Sequence, residues 1–125
     1  MEAASKGGAR SEKRQGGDVI GLLPGMDPDE ANPWVEIAIP TGMSIARNVL
    51  CVTSADAVIA CGGRAGTLSE IAIAWQLGKP VIALDLQEGW ASKLAGERID
   101  DRRPDPVVRA TDAEAAVQAV LDALA

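Results

Sequence analysis

The chain has 125 residues, 47% of them apolar, and a net charge of −6 from twelve Lys and Arg against eighteen Asp and Glu. That length suits a single domain over 1–125 with one core, and the acidic balance argues against a nucleic-acid partner, which needs a broad basic face. The absence of His excludes His-based catalysis and His metal ligation, and no window approaches the roughly 18 apolar residues of a membrane span.

In chain order, residues 2–15 (EAASKGGARSEKRQ) suggest a weak helix that Gly7 and Gly8 interrupt. DVIGLLPG (18–25) reads as a strand stopped by Pro24-Gly25, and MDPDEANP (26–33) as a solvated acidic loop without calcium-loop spacing. WVEIAIP (34–40) reads as a second strand. After TGM comes a helical pattern with apolar Ile45, Ala46, Val49, Leu50 and Val52. AVIAC (57–61) reads as a buried strand. Residues 67–77 form the next predicted helix, ending at Gly78 with Pro80 beyond it. PVIALDL (80–86) is a further strand, 87–106 is irregular apart from a helical turn over Trp90 to Leu94, and VVRA (107–110) is a short strand. Thr111 is expected to start the last helix, with Glu114 in the capping-box position and Val117, Val120, Leu121 and Leu124 as its apolar face. Strands that are continuous apolar runs, alternating with helices, predict an α/β fold: a parallel sheet with helices on both faces. Ligands in such sheets collect beyond the carboxyl ends of the strands. Cys51 and Cys61 lack metal-type spacing and read as buried, reduced thiols, so no metal site is expected. With no signal peptide, the expected location is the cytoplasm.

The segment CGGRAGTLSE (61–70) carries the chemistry. Gly62, Gly63 and Gly66 follow a strand directly, where glycines let backbone N–H groups approach a ligand. A helix starting near Thr67 aims its unpaired N–H groups and dipole at the same spot, and Thr67 adds a hydroxyl. These features favour a phosphate. The order is neither GxGxxG nor a Walker A loop, so nucleoside triphosphate hydrolysis has no support. The competing reading is local: Thr67-Leu-Ser-Glu70 is a capping box and the glycines make a tight turn. Both readings stand, and they are compatible. Arg47 sits near the start of its helix, where a cation is mildly unfavourable. It reads either as an exposed surface Arg or as a charge retained for a site, beside Glu70 at the same sheet edge.

PTGMSIARNVL (40–50) followed by ADAVIACGGRAGTLSEIAIAWQLGKPVIAL (55–84) resembles the Lonely Guy family of Rossmann-like proteins, often labelled lysine-decarboxylase-like. The family signature, Gly-Gly-x-Gly-Thr-x-x-Glu preceded by a helix carrying an Arg, is similar to Gly62 through Glu70 with Arg47. The resemblance covers about residues 1–86 and is specific over 41–84. It implies a Rossmann-like fold and two possible activities. One is hydrolysis of the base–ribose bond of nucleoside 5′-monophosphates of the cytokinin type, with Glu70 and Arg47 as the catalytic pair. The other is that of nucleotide-binding proteins and molybdenum-cofactor carriers, which hold a pterin phosphate without turning it over. Cys61 stands where the hydrolases have Pro, and Asn48 where they have Lys, which favours the carrier branch. The implied ligand is a phosphorylated small molecule, an AMP-like nucleotide or the molybdenum cofactor. The implied ligand-binding residues are Thr41, Gly42, Gly62, Gly63, Gly66 and Thr67. A homo-oligomer is the implied assembly, and a structural subunit without ligand is the third alternative. The resemblance also implies that the family's first two strands are lacking, since Met1 falls where a helix following them would begin.

Overall fold

A computed structural model describes residues 1–125, and the chain divides into two compact units, Met1–Arg47 and Asn48–Ala125. All strand pairing is parallel and falls into two sheets. No helix is long and apolar enough to cross a membrane.

In the first unit, α1 (Glu2–Ala9) is shorter than the 2–15 expected, as the glycine pair near its end dictates. β1 (Ile20–Leu23) pairs with β2 (Ile37–Pro40), Ile20 opposite Ile37 and Leu23 opposite Pro40. Pro24 and Gly25 stop β1 as predicted. The acidic loop contains a 3₁₀ turn, Pro28–Glu30, capped by the Asp27 carboxylate, which accepts from Asp29 N–H at 2.9 Å. Glu36 fixes the entry to β1 by accepting from the N–H groups of Asp18 and Val19 at 3.0 and 3.1 Å. Trp34 lies under two cations of the α1 region, Lys6 at 5.4 Å and Arg10 at 4.8 Å from its ring centre. A 3₁₀ turn, Ser44–Ala46, leads into α2 (Arg47–Ser54).

The second unit holds the core. β3 (Val58–Cys61), β4 (Val81–Leu84) and β5 (Val108–Ala110) lie in that order. One layer packs α3 (Ala65–Gln76) and α4 (Trp90–Leu94) on β3 and β4, burying Val52, Ala60, Ile71, Ala74, Trp75, Val81, Ala83 and Ala91. Ile71, Ala74 and Trp75 share one face of α3 at helical spacing. The Trp75 indole N–H donates to Asp100 Oδ1 at 2.7 Å, and the Arg103 guanidinium covers its ring at 4.8 Å. The opposite layer packs α5 (Ala113–Leu124) on Ile82, Leu84 and Ala110.

Three expectations need correction here. Asp112, not Thr111, caps α5: its carboxylate accepts from Ala115 N–H at 2.8 Å. Glu114 is therefore one residue short of the capping-box position and contributes only its charge near the helix start. The buried stripe of α5 is Ala116, with Ala119 and Val120, while Val117, Leu121 and Leu124 are exposed. Alanines let the helix approach the sheet closely, so the smaller residues win the contact. Cys61 is exposed rather than buried, because it ends β3 on the α5 side of the sheet, and α5 packs chiefly on β4 and β5.

Candidate functional site

β3 ends at Cys61 and the chain turns through Gly62 (φ +52°) and Gly63 (φ +88°). Gly63 is required twice over. Its φ lies in the left-handed region, and a Cβ there would fall 2.0 Å from Thr67 Oγ1. Arg64 is extended and occupies the N-cap, so α3 starts at Ala65, two residues earlier than the sequence suggests. The capping box read at Thr67 and Glu70 therefore does not form. Thr67 lies inside the first turn with its side chain over Gly63, and Glu70 lies one turn further on. Arg64 supplies no side-chain cap, so the first-turn N–H groups of α3 are not taken by a capping oxygen. The Thr67 hydroxyl is partly buried and has no hydrogen-bond partner within the protein.

Gly62, Gly63, Gly66 and Thr67 thus meet at one strand–helix junction, with Glu70 on the same helix. The junction is braced by Asn48, a buried polar side chain on α2. Its amide donates to Ser69 Oγ at 2.8 Å and to Gly66 O at 3.5 Å, while Ser69 Oγ donates to Gly66 O at 2.7 Å. Arg47, immediately before Asn48, opens α2 as predicted. Thr41 and Gly42 directly follow β2 and bond to the backbone at and just beyond the end of β1. Thr41 Oγ1 donates to Leu23 O at 2.7 Å and accepts from Met43 N–H at 3.2 Å, and Gly42 N–H donates to Gly25 O at 2.9 Å.

The wall beside the glycine turn is built from contacts between segments distant in the chain. Trp90 N–H donates to Gly63 O at 3.1 Å and Ala91 N–H to Gly62 O at 3.0 Å, so α4 is anchored on the turn's carbonyls. Only glycine serves at 89: φ is +154°, and a Cβ would lie 2.4 Å from the Gly62 carbonyl carbon. Between the two segments is a cavity of about 640 Å³ lined by Gly63, Arg64, Ala65, Glu88, Gly89, Trp90, Ser92 and Lys93. Of the residues expected to bind ligand, only Gly63 lines it. A glycine directly before the Trp90–Leu94 helical turn was the one signal in the sequence. Behind the wall, Asp85 accepts from the Ser92 hydroxyl and from Arg109 Nη2 at 2.6 Å. The Ser92 hydrogen bond and then the Arg109 contact hold the Asp85 carboxyl below its ordinary range, keeping it charged.

Parallel strands joined through helices, with a glycine turn between β3 and α3, define a Rossmann-like α/β protein. Residues 1–117 match the SLOG cluster4 family, and the chain belongs to that family. It is similar to the molybdenum cofactor binding protein from the phototrophic bacterium Rippkaea orientalis, at 34% identity and a TM-score of 0.81, over 100% of this chain and 71% of that one. The X-ray structure of TM1055 is similar at 32% identity and a TM-score of 0.83, over 97% of this chain and 71% of the other. An uncharacterized protein of Archaeoglobus fulgidus is 48% identical over 84 residues, 67% of this chain and 52% of its own, so the chain spans about half the length of that curated relative.

Proposed function

We propose that the chain binds a phosphate-bearing nucleotide or pterin-type cofactor at Gly62–Thr67 and carries it without turning it over, as in the carrier branch of the Lonely Guy-like proteins. The observation that carries this reading is the uncapped first turn of α3, with Thr67 stacked on Gly63. The residues present fit a phosphate group: the first turn of α3 has no side-chain cap, no carboxylate lies within 62–69, and the Arg64 cation is adjacent. The likeness to a molybdenum cofactor binding protein supports the ligand class. In this reading the N–H groups of Gly63, Gly66 and Thr67 and the Thr67 hydroxyl donate to the phosphate. Gly62 sets the turn.

Titration calorimetry with AMP and with the molybdenum cofactor tests the reading. One of them gives saturable binding, and Thr67→Val weakens it by about 1.5 kcal/mol, the loss of one hydrogen bond to a charged group. Absence of binding by both removes the proposal. AMP is recovered intact after incubation. Release of adenine that Glu70→Gln abolishes would replace the carrier reading with phosphoribohydrolase activity.

A further inference from the structure

We propose that Met26, Met43 and Ile45 form a docking surface for a basic amphipathic helix of a partner protein. The surface lies wholly within the first unit and is independent of the phosphate reading. Single exposed apolar side chains are ordinary, but a group of them marks an interaction site. Met26 and Ile45 are 84% and 85% exposed, and Met43 is 45% exposed. Their segments meet where the chain leaves β1 and β2. Gly42 N–H donates to Gly25 O at 2.9 Å, Ser44 N–H donates to Pro24 O at 3.0 Å, and Thr41 Oγ1 donates to Leu23 O at 2.7 Å. The Met26 side chain lies over Gly42, its Cγ 3.1 Å from where a Cβ would stand. Ser44, between Met43 and Ile45, is the only non-glycine residue of the chain with positive φ, at +51°. The backbone under the patch is thus laced in place, while two of its three side chains are methionines, which adapt to a partner's shape.

Charge selects the partner. From residue 15 to residue 46 the chain has Asp18, Asp27, Asp29, Glu30 and Glu36 and no Lys or Arg. Asp27, Asp29 and Glu30 follow Met26, are exposed and take part in no ion pair. Glu30 turns back so that its carboxylate lies against Gly25, beside Met26. Of the cations at the ends of this stretch, Arg14 pairs with Glu36 at 3.6 Å and Arg47 is partly buried at the start of α2. An apolar patch bordered by carboxylates fits a helix whose apolar side chains enter the patch and whose Lys and Arg reach the carboxylates. A second copy fits less well. A two-fold contact over Met26 sets Asp27, Asp29 and Glu30 of both chains against each other, and the net charge of −6 adds repulsion.

Fluorescence anisotropy of a labelled amphipathic Leu/Lys peptide, titrated with the full chain, tests the proposal. The peptide binds saturably, about tenfold more tightly than a peptide of the same composition scrambled to lose its apolar face, and more weakly as salt is raised. Met26→Ser with Ile45→Ser, at exposed positions that leave thermal unfolding unchanged, weakens binding about tenfold. Asp29→Asn with Glu30→Gln removes most of the salt dependence. Val117→Ser with Leu121→Ser, on the exposed side of α5, leaves binding unchanged and controls for general adhesion to apolar surface. The docking surface is overturned by absence of binding, by equal binding of the scrambled peptide, or by an affinity that survives Met26→Ser with Ile45→Ser. Concentration-dependent self-association of the chain that this double substitution abolishes also overturns it, by assigning the patch to a second copy. None of these outcomes bears on the phosphate reading.

Discussion

Residues 1–47 and 48–125 both pair short apolar strands in parallel, the first through a loop with a 3₁₀ turn and the second through helices, yet they reach different ends. The first unit contains no fully buried residue, and Ile20, Ile37 and Ile39 on its two strands remain substantially exposed. It is held by backbone pairing, carboxylate caps and the contacts of Trp34 with Lys6 and Arg10. The second unit buries Ile71, Trp75, Ile82 and Val107 completely or nearly so and closes its apolar layers on both faces of β4. Strand-forming sequence makes a ladder in both places. Only three strands with helices above and below make a core, and hydrophobic burial is the dominant favourable term in folding.

The sharpest way to break this comparison is a matched pair of truncations. Ile82→Ala removes a fully buried side chain and should cost about 2–5 kcal/mol in denaturant unfolding. Ile37→Ala, at a half-exposed position, should cost less than about 1 kcal/mol. Equal costs would mean that the first unit owes as much to burial as the second. Hydrogen exchange sharpens the same contrast, with β3–β5 amides protected longer than those of β1 and β2.

The glycines come next in size. Gly89→Ala forces a Cβ onto the Gly62 backbone, and Gly63→Ala drives one into Thr67, both at positive φ; each should cost about 1–3 kcal/mol or more in thermal unfolding. Gly66→Ala is the control. It lies in α3 with nothing nearer than Asn48 Nδ2 at 4.0 Å, so it should stabilise the fold by up to about 1 kcal/mol. If the Gly66 backbone must approach a phosphate, the same substitution weakens ligand binding while it strengthens the helix.

The order of elements, the parallel fold class and the strand-to-helix position of the glycine turn were legible because long apolar runs and glycine clusters report local chemistry. What stayed hidden was decided by partners distant in sequence. Thr67 and Glu70 spell a capping box, but the turn at Gly62–Gly63 lets the helix begin at Ala65, which moves Thr67 inside it. Asn48 stood out only as a departure from a family pattern, whereas its role is to brace Gly66 and Ser69. The helical turn at Trp90–Leu94 was read from the sequence, but its docking on the glycine turn was not, because backbone groups of Gly62, Gly63, Trp90 and Ala91 make that contact and side-chain patterns do not encode it. On α5, spacing alone could not choose between two overlapping stripes, and the one with smaller residues packs closest.

The smallest expected effect is acid sensitivity confined to the second unit. Three of its carboxylates have lowered pKa values: Asp85 through Ser92 and Arg109, Asp100 through the Trp75 indole and Arg102 N–H, and Asp105 through Arg103. A carboxyl whose folded pKa is depressed contributes stability above its unfolded value of 3.8, and that contribution fades as pH falls through 3.8 towards the lower folded values. Unfolding followed by Trp75 fluorescence should therefore shift to lower denaturant below about pH 4. Asp100→Asn, which keeps an acceptor for the indole, should reduce that shift.

The proposed phosphate cradle at Gly62–Thr67 can be read residue by residue from amide chemical shifts. In a proton–nitrogen correlation titration with AMP, saturable shifts should be largest at the N–H groups of Gly63, Arg64, Gly66 and Thr67 and suppressed by Thr67→Val. Saturable shifts centred elsewhere, or none at these amides at ligand concentrations that saturate binding, would contradict it.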